Sequence, residues 1–551
     1  MAARCSARER AGHGDAEGRV SLARGVATVG GYTLASRVLG FLRDMLVAAY
    51  LGAGPVADAF LVAFKLPNFF RRLFAEGAFN AAFVPIFAGM VARDGRVAAR
   101  VFAEDAMAVL LAVLLALTIV AEAAMPHLVA LIAPGFRDEP GKLALAVDFT
   151  RITFPYLLFI SLVSLQGGVL NGIERFAAVA ATPILLNLCL IGGLVFLAPL
   201  LGSAGPALAW SVAIAGVAQF LWLAAACGRE GMALRLPLPR LTPEVRRLGR
   251  LMLPAALGSG AVQVNLLVDV MIASLLPTGA ISYLYFADRV YELPLAVIGI
   301  AIGTALLPLL SRQLRLGDEA AAAQTLDRAL EAALVLALPA TAALLVLAGP
   351  IVSTLFERGA FDATAASATA AALVAYSLGL PAYVLVKVLA PGFYAREDTR
   401  TPVRIAVGCV AANTAIALAL MGPLGHVGIA LATALSAWMN CALLARGLSR
   451  RGLLAPGRRA TRRAAGAVAA CLAMAAALEG AMRLGLSPAA SHGLARWAAM
   501  AGLVAIGLCA YGVAGAALGA FRPAEVAAMF RRPRGSRGAR GIQQPRRNRA
   551  S

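Results

Sequence analysis

Twelve ionisable side chains sit inside stretches otherwise apolar enough to cross a bilayer, and their types set the chemistry open to this chain. Six are basic (Arg37, Arg43, Lys65, Arg71, Arg72, Arg289) and six acidic (Asp44, Asp58, Glu76, Asp269, Asp288, Glu292). A charge at bilayer depth costs roughly 2.5–3.5 kcal/mol even on lenient insertion scales, so such residues face a bundle interior or a wet cavity. Arginine is permanently charged and presents a planar fork of N–H donors that fits phosphate oxygens. The even balance of signs also suits ion pairs that only pin helices together. Arg72, Asp44 and Glu76 fit that structural role, whereas Arg37, Arg71 and Arg289 are the better candidates to meet a ligand. Several arginines with few aromatics point to a phosphorylated or otherwise anionic substrate more than to a cationic drug.

The spacing adds to this. In "ADAFLVAFKLPNFFRRLFAEGAF", Asp58, Lys65, Arg72 and Glu76 recur at steps of seven, seven and four, which a continuous helix would place near one face. Pro67 and Gly77 predict a kink there, of the kind tolerated where backbone faces protein or a water-filled cavity. In "YFADRVYELP", Asp288 and Glu292 share a face and Arg289 lies beside it, while Gln263, Asn265 and Asp269 fall on the preceding span. No Walker A run, histidine metal spacing or GxSxG elbow is present. The seven cysteines form no CxxC pair and read as small core residues. The chain is therefore read as a transporter without a cofactor, not an enzyme, and any uphill work must draw on an ion gradient or the membrane potential.

The elements that position these charges follow from composition. The 551 residues are 60% hydrophobic and 14% charged, with a mean hydropathy of +0.79, which describes a polytopic membrane protein. The net charge of +21 lies in short clusters between apolar runs, as a loop bias would place it, so nucleic-acid binding is not expected. Apolar runs predict about 14 transmembrane helices, in spans near residues 25–51, 57–90, 104–133, 145–170, 177–200, 204–227, 247–276, 280–311, 322–347, 363–390, 400–421, 426–447, 463–483 and 494–519. Loops after even-numbered spans are basic, as in "RDGRVAAR" and "RGLSRRGLLAPGRRATRR"; those after odd-numbered spans, such as "GAGPV" and "LPTGA", carry almost no charge. By the positive-inside rule both termini are cytoplasmic. The predicted units are a cytoplasmic tail with no cleaved signal peptide (1–24), an N-lobe of six spans (25–228), a basic linker (229–246), a C-lobe of six spans (247–448), two further spans (449–520) and a basic, disordered tail (521–551).

An internal repeat relates the two lobes. "RDMLVAAYLGAGPVADAF" from Arg43 lies over "VDVMIASLLPTGAISYLY" from Val268, putting Asp44 on Asp269, a shift of 225. "GPALAWSVA" from Gly205 lies over "GIALATALS" from Gly428, and "NGIER" from Asn171 over "YARED" from Tyr394, both shifted by 223. A period of six spans gives parallel lobes about an axis along the membrane normal, with the solute path between them. The charged residues of spans 1, 2, 7 and 8 are then expected to converge at the interface between the lobes.

The stretches "SRVLGFLRDMLVAAYLGAGPVADAFLVAFKLPNFFRRLFAEGAFNAAFVPIF" (36–87), "ISYLYFADRVYELPLAVIGIAIGTALLPLLS" (281–311) and "FYAREDTRTPV" (393–403) resemble the MurJ (MviN) family of lipid II flippases. The resemblance implies the fold of the multidrug/oligosaccharidyl-lipid/polysaccharide exporter superfamily: two six-helix lobes around a central cavity, plus two C-terminal helices forming a groove for the lipid tail. It implies alternating-access movement of the undecaprenyl-pyrophosphate-linked peptidoglycan precursor from the cytoplasmic to the periplasmic leaflet of the bacterial inner membrane. It further implies substrate contact by Arg37, Arg43, Arg71 and Arg289, with Asp58, Lys65, Glu76, Asp288 and Glu292 in cavity ion pairs or gating. Lipid II and membrane lipids are the expected partners, with cell-wall synthesis proteins as further candidates. Some members resemble a sodium-coupled design; here Asp269 and Asn413 match in part, but span 11, "RIAVGCVAANTAIALALMG", has no acid, so the coupling ion stays open. The rival readings are a flippase for another polyprenyl-linked glycan, a drug/cation antiporter and a non-transporting scaffold.

Overall fold

The computed structural model describes residues 28–71, 79–454, 458–486, 488 and 493–521. Both predicted tails, apart from Phe521, lie outside them, as do Arg72 and Glu76. The described chain is all-α, its one β-feature being an isolated bridge between Arg358 and Phe361. Helix α1 covers 28–51. The rest of the N-lobe is α2 (Pro55–Phe70), α3 (Asn80–Ala123), α4 (Met125–Ile132), α5 (Pro140–Thr153), α6 (Tyr156–Gly172), α7 (Ala177–Gly192), α8 (Ala198–Leu201) and α9 (Ala204–Arg229). The C-lobe is α10 (Pro243–Ser274), α11 (Ala280–Arg315), α12 (Glu319–Phe356), α13 (Ala363–Tyr394) and α14 (Arg400–Ser449); α15 (Arg458–Arg483) and α16 (Leu494–Ala517) follow.

Among the described residues nine helices are long and apolar enough to cross a membrane. Two of these are interrupted by a glycine in a conformation that a side chain disfavours: Gly95 (φ 84°) divides α3 and Gly425 (φ 56°) divides α14. Each thus joins two of the predicted spans across a kink, Gly95 where a basic loop was expected and Gly425 where a charge-poor one was. Helix starts follow capping chemistry. Thr242 accepts from the Val245 N–H (3.4 Å) with Pro243 in the first turn, so α10 begins within the segment expected to be linker up to residue 246. Asp318 and Asp362 cap α12 and α13 in the same way, at 2.9 and 2.7 Å.

The repeat is visible in backbone geometry. Glu174 and Glu397, 223 residues apart, are the two non-glycine residues with positive φ among those described, at 62° and 61°. Gly231 and Gly452, at 71° and 69°, close α9 and α14 alike. Each lobe ties these two turns with one ion pair, but with the signs exchanged: Arg175 to Glu230 at 3.0 Å, and Asp398 to Arg451 at 2.8 Å. Helices α15 and α16 attach to α12 through Leu347, Met474, Leu478 and Leu503, an Arg463–Glu331 pair at 2.9 Å, and a hydrogen bond from Tyr511 to the Val335 carbonyl.

Candidate functional site

At the end carrying the charge-poor loops the lobes meet through buried polar contacts. Gly54 and Pro55 start α2 there, which brings Asp58 to the N-terminus of α11 in the other lobe. Its carboxylate, 1% exposed, accepts from the Gly279 N–H (2.8 Å), the Ser282 N–H (3.0 Å) and the Ser282 hydroxyl (2.6 Å). Those backbone donors are among the four that a helix start leaves unpaired, and the helix dipole favours an anion at that place. Lys142 of α5 completes the set, its Nζ 3.3 Å from the same carboxylate and donating to Thr278 at 3.0 Å. Asp58 is thus a buried latch between lobes and not a wall residue of an open cavity.

Glycines allow the same closure elsewhere at this end. Gly135 donates to the Ser274 hydroxyl (3.2 Å), and a Cβ on it would lie 2.0 Å from the Ser274 carbonyl oxygen. The Ala360 N–H donates to Ala49 O at 2.8 Å, and Gly52, with φ +66°, has no room for a side chain beside Ala360.

Below the latch, Arg43 and Asp44 form one network. Arg43 donates to Asp44 from Nε (3.0 Å) and Nη2 (2.7 Å) and to Asn187 from Nη1 (3.0 Å). Asn187 in turn donates to the Ser36 carbonyl, fixing α1 to α7. The Tyr285 hydroxyl of the C-lobe donates to Asp44 at 2.9 Å, and the Arg289 guanidinium lies 5.1 Å from the centre of the Tyr285 ring. Arg289 also pairs with Asp288 (3.2 Å) and Glu292 (3.0 Å), yet its buried Nε donates to nothing among the described residues. Both carboxylates are over a third exposed, so this face of α11 looks onto open space.

Arg37, in α1, is exposed. Its charge acts on Lys387 of α13, together with that of Glu292. Lys387 is itself exposed on a helix whose apolar stretch is largely buried, and its Nζ crowds the place a Cβ on Gly299 would take. Arg71, at the end of α2, donates to Asn68 at 3.1 Å. Lys65 acts electrostatically on Asp269 from the opposite lobe. Asp269 accepts from Asn413 (2.9 Å) and Asn265 (3.4 Å), and Asn413 Oδ1 is buried without a hydrogen bond. An unsatisfied buried oxygen beside a carboxylate fits a small monovalent cation, though among the described residues no three His, Cys, Asp or Glu gather as a transition metal would require.

The structure therefore brings together Arg43 with Asp44, Asp288 and Glu292 with Arg289, and Asp269 with Asn413, while Lys65 acts on Asp269 through its charge; it separates Asp58 from the rest. Sequence reasoning missed Lys142, Asn187, Tyr285, Ser282 and Lys387. Lys387 alone left a signal, a single cation between Pro381 and Pro391 in an apolar run. The others are ordinary residues at span ends or interiors that acquire a role only through contact.

Comparison with known proteins gives a consistent picture. A family model described as "Lipid II flippase MurJ" matches residues 47–487. The "Probable lipid II flippase MurJ" of Rhizobium meliloti (strain 1021) is 49% identical over 438 residues, 79% of this chain and 82% of that one. The "Lipid II flippase MurJ" of Burkholderia cenocepacia is 40% identical over 441 residues, covering 79% and 86%. Among solved structures, a lipid II flippase MurJ in an inward closed conformation matches with a TM-score of 0.74 at 24% identity, over 89% of this chain and 98% of that one. An inward-facing MATE transporter of the MOP superfamily matches with a TM-score of 0.65 at 14% identity, over 76% and 95%. The structural matches establish the two-lobed fold.

Proposed function

Since this chain belongs to the lipid II flippase MurJ family, we propose that it carries lipid II across the bacterial inner membrane by alternating access, a transport step and not a chemical conversion. The reading includes fourteen crossings, the six-plus-six-plus-two division, and cytoplasmic termini on the basic side. The observation that supports it most is asymmetry along the interlobe axis: a dry, hydrogen-bonded seal around Asp58 at one end, and exposed charges from both lobes facing each other below it.

In this reading the polyprenyl-pyrophosphate headgroup enters from the basic end and its phosphates meet Arg37, Arg71 and Arg289. Arg289 is held in place by Asp288 and Glu292 until the stronger, bidentate phosphate contact displaces them. Arg43 reaches substrate only by exchanging Asp44 and Asn187, so its first role is to position α1. Lys65 and Glu76 belong to the ion pairs remade as the lobes rock, and Asp269 with Asn413 is the place for a coupling sodium ion. Release on the far side requires the Asp58 latch to open. Other membrane lipids and cell-wall synthesis proteins remain candidate partners at the outer surface.

The test is leaflet-resolved labelling of lipid II in cells depleted of the native protein and carrying either wild type or Arg37→Ala. Loss of periplasmic exposure with normal membrane insertion supports the reading; unchanged exposure in the variant overturns the substrate role of Arg37. Intact wall growth with loss of another surface glycan on depletion would instead assign a different polyprenyl-linked cargo.

A further inference from the structure

Between the basic ends of the two lobes lies a cavity of about 760 Å³, a volume in the range of small-molecule pockets, lined by none of the residues assigned to the transport route above. One wall is a single face of α3: Ala81, Pro85 and Gly89 at successive four-residue steps, ending in Arg93. All four are exposed. The opposite wall is the first turns of α10, where Glu244, Arg247 and Leu251 share a face. The small residues leave the slot open: a Cβ on Gly89 would meet nothing within 4 Å.

The slot is apolar along its length and charged at its mouth, the profile of an amphiphile. At the mouth, Arg93 is exposed and paired to Asp94 (2.8 Å), and Glu244 lines the opening from the other lobe. Arg247 is exposed and makes no hydrogen bond or ion pair among the described residues. Arg96, Arg246 and Arg250 are exposed nearby in sequence, giving this end the positive surface that anionic headgroups favour.

We propose that this slot binds an anionic glycerophospholipid of the adjoining leaflet, with an acyl chain along Ala81, Pro85 and Gly89 and its phosphate on Arg247 and Arg93. The two walls belong to different lobes, so bringing the basic ends together removes the site. A ligand that binds one conformation only shifts the equilibrium toward it. The bound lipid is a wedge that keeps the basic end parted, and leaflet composition sets how readily the lobes close. The inference uses the lobe movement proposed above and not the identity of the transported lipid.

The test uses the full chain in nanodiscs of phosphatidylcholine, with or without phosphatidylglycerol, carrying spin labels at Val97 and Leu316, both exposed on basic-end segments of the two lobes. Phosphatidylglycerol should raise the ratio of parted to closed conformers about fivefold in wild type. Arg93→Gln with Arg247→Gln should abolish that shift by removing the phosphate contacts. Gly89→Leu, which fills the slot and keeps every charge, should abolish it too. An undiminished shift in Gly89→Leu would assign the effect to surface charge and overturn the site, as would a shift unchanged in the arginine pair. Repeating the measurement in Arg37→Ala separates the two readings, because the lipid shift should persist there when flipping is lost.

Discussion

Replacing Asp58 by Asn tests the interlobe latch with almost no change in volume. The carboxylate accepts three hydrogen bonds from α11 and faces Lys142, whose side chain is 3% exposed and whose next carboxylate, Glu139, is 3.8 Å away. Hydrogen bonds to a charged group contribute about 1.5–3 kcal/mol, against about 0.5–1.5 kcal/mol for neutral ones, so loss of charge weakens each contact. The amide also turns one acceptor into a donor. Whichever way it is oriented, a backbone N–H of Gly279 or Ser282, or the Lys142 ammonium, then meets a donor and is left buried and unpaired, costing about 1–3 kcal/mol. Breaking a buried pair outright costs about 3–5 kcal/mol, but once the latch opens the wet Lys142 recovers part of this. A net penalty of ~3 kcal/mol on the closed state is therefore reasonable, which at 1.36 kcal/mol per decade shifts the open-to-closed ratio about 150-fold. Spin labels at Ser203, before α9, and Gly422, beside the Gly425 kink of α14, both exposed at the charge-poor end, report that ratio as a distance distribution. A long-distance population should appear or grow strongly in Asp58→Asn. An unchanged distribution in a folded, monodisperse variant would refute the account of Asp58 as the seal.

Arg289→Gln should reduce lipid II flipping by roughly tenfold or more while Arg289→Lys retains part of it, since one phosphate contact from a charged donor contributes about 1.5–3 kcal/mol; equal activity of all three in a vesicle flipping assay would remove Arg289 from the phosphate contacts. Sodium should raise the melting temperature of wild type relative to potassium, and Asn413→Ala should lose that difference, if the unsatisfied Asn413 oxygen marks an ion site. Asp398, on the turn before α14, is held down to about 2 by the Thr401 N–H, by Arg451 and by the Thr401 hydroxyl. Its folded value is depressed, so its stabilising effect is present above the ordinary carboxylate range and is lost as pH falls through about 2. The melting-temperature difference between wild type and Asp398→Asn should accordingly be constant from pH 5 to 8 and shrink below about pH 4; a difference that grows on acidification would contradict the assignment.

Much of this protein is written into its sequence in a form that needs no partner to be read. Apolar runs identify helices because a bilayer or a helical core imposes the same local demand at every residue. The repeat shift of 223 anticipated the paired turns at Glu174 and Glu397, since a turn depends on a few neighbouring residues. Of the membrane-embedded charges, conspicuous because desolvation is costly, Asp44 and Asp58 lie at contacts between the lobes. What sequence could not assign was partnership. Lys142 and Ser282 look like ordinary span-end residues, yet Ser282 from across the lobe boundary and Lys142 from within the N-lobe complete the Asp58 latch; Asn187 and Tyr285, each distant in sequence from Arg43 and Asp44, decide that this pair is tied and not free. Lys387 stands out only once α13 leaves it exposed, its Nζ against Gly299 of α11. Local patterning fixes elements and their polarity, whereas a hydrogen bond or ion pair between residues more than a hundred positions apart exists only through the packing of whole helices. Tertiary structure alone therefore decided which of the embedded charges are tied across the lobes, as Asp58 is, and which stay exposed, as Arg37 does.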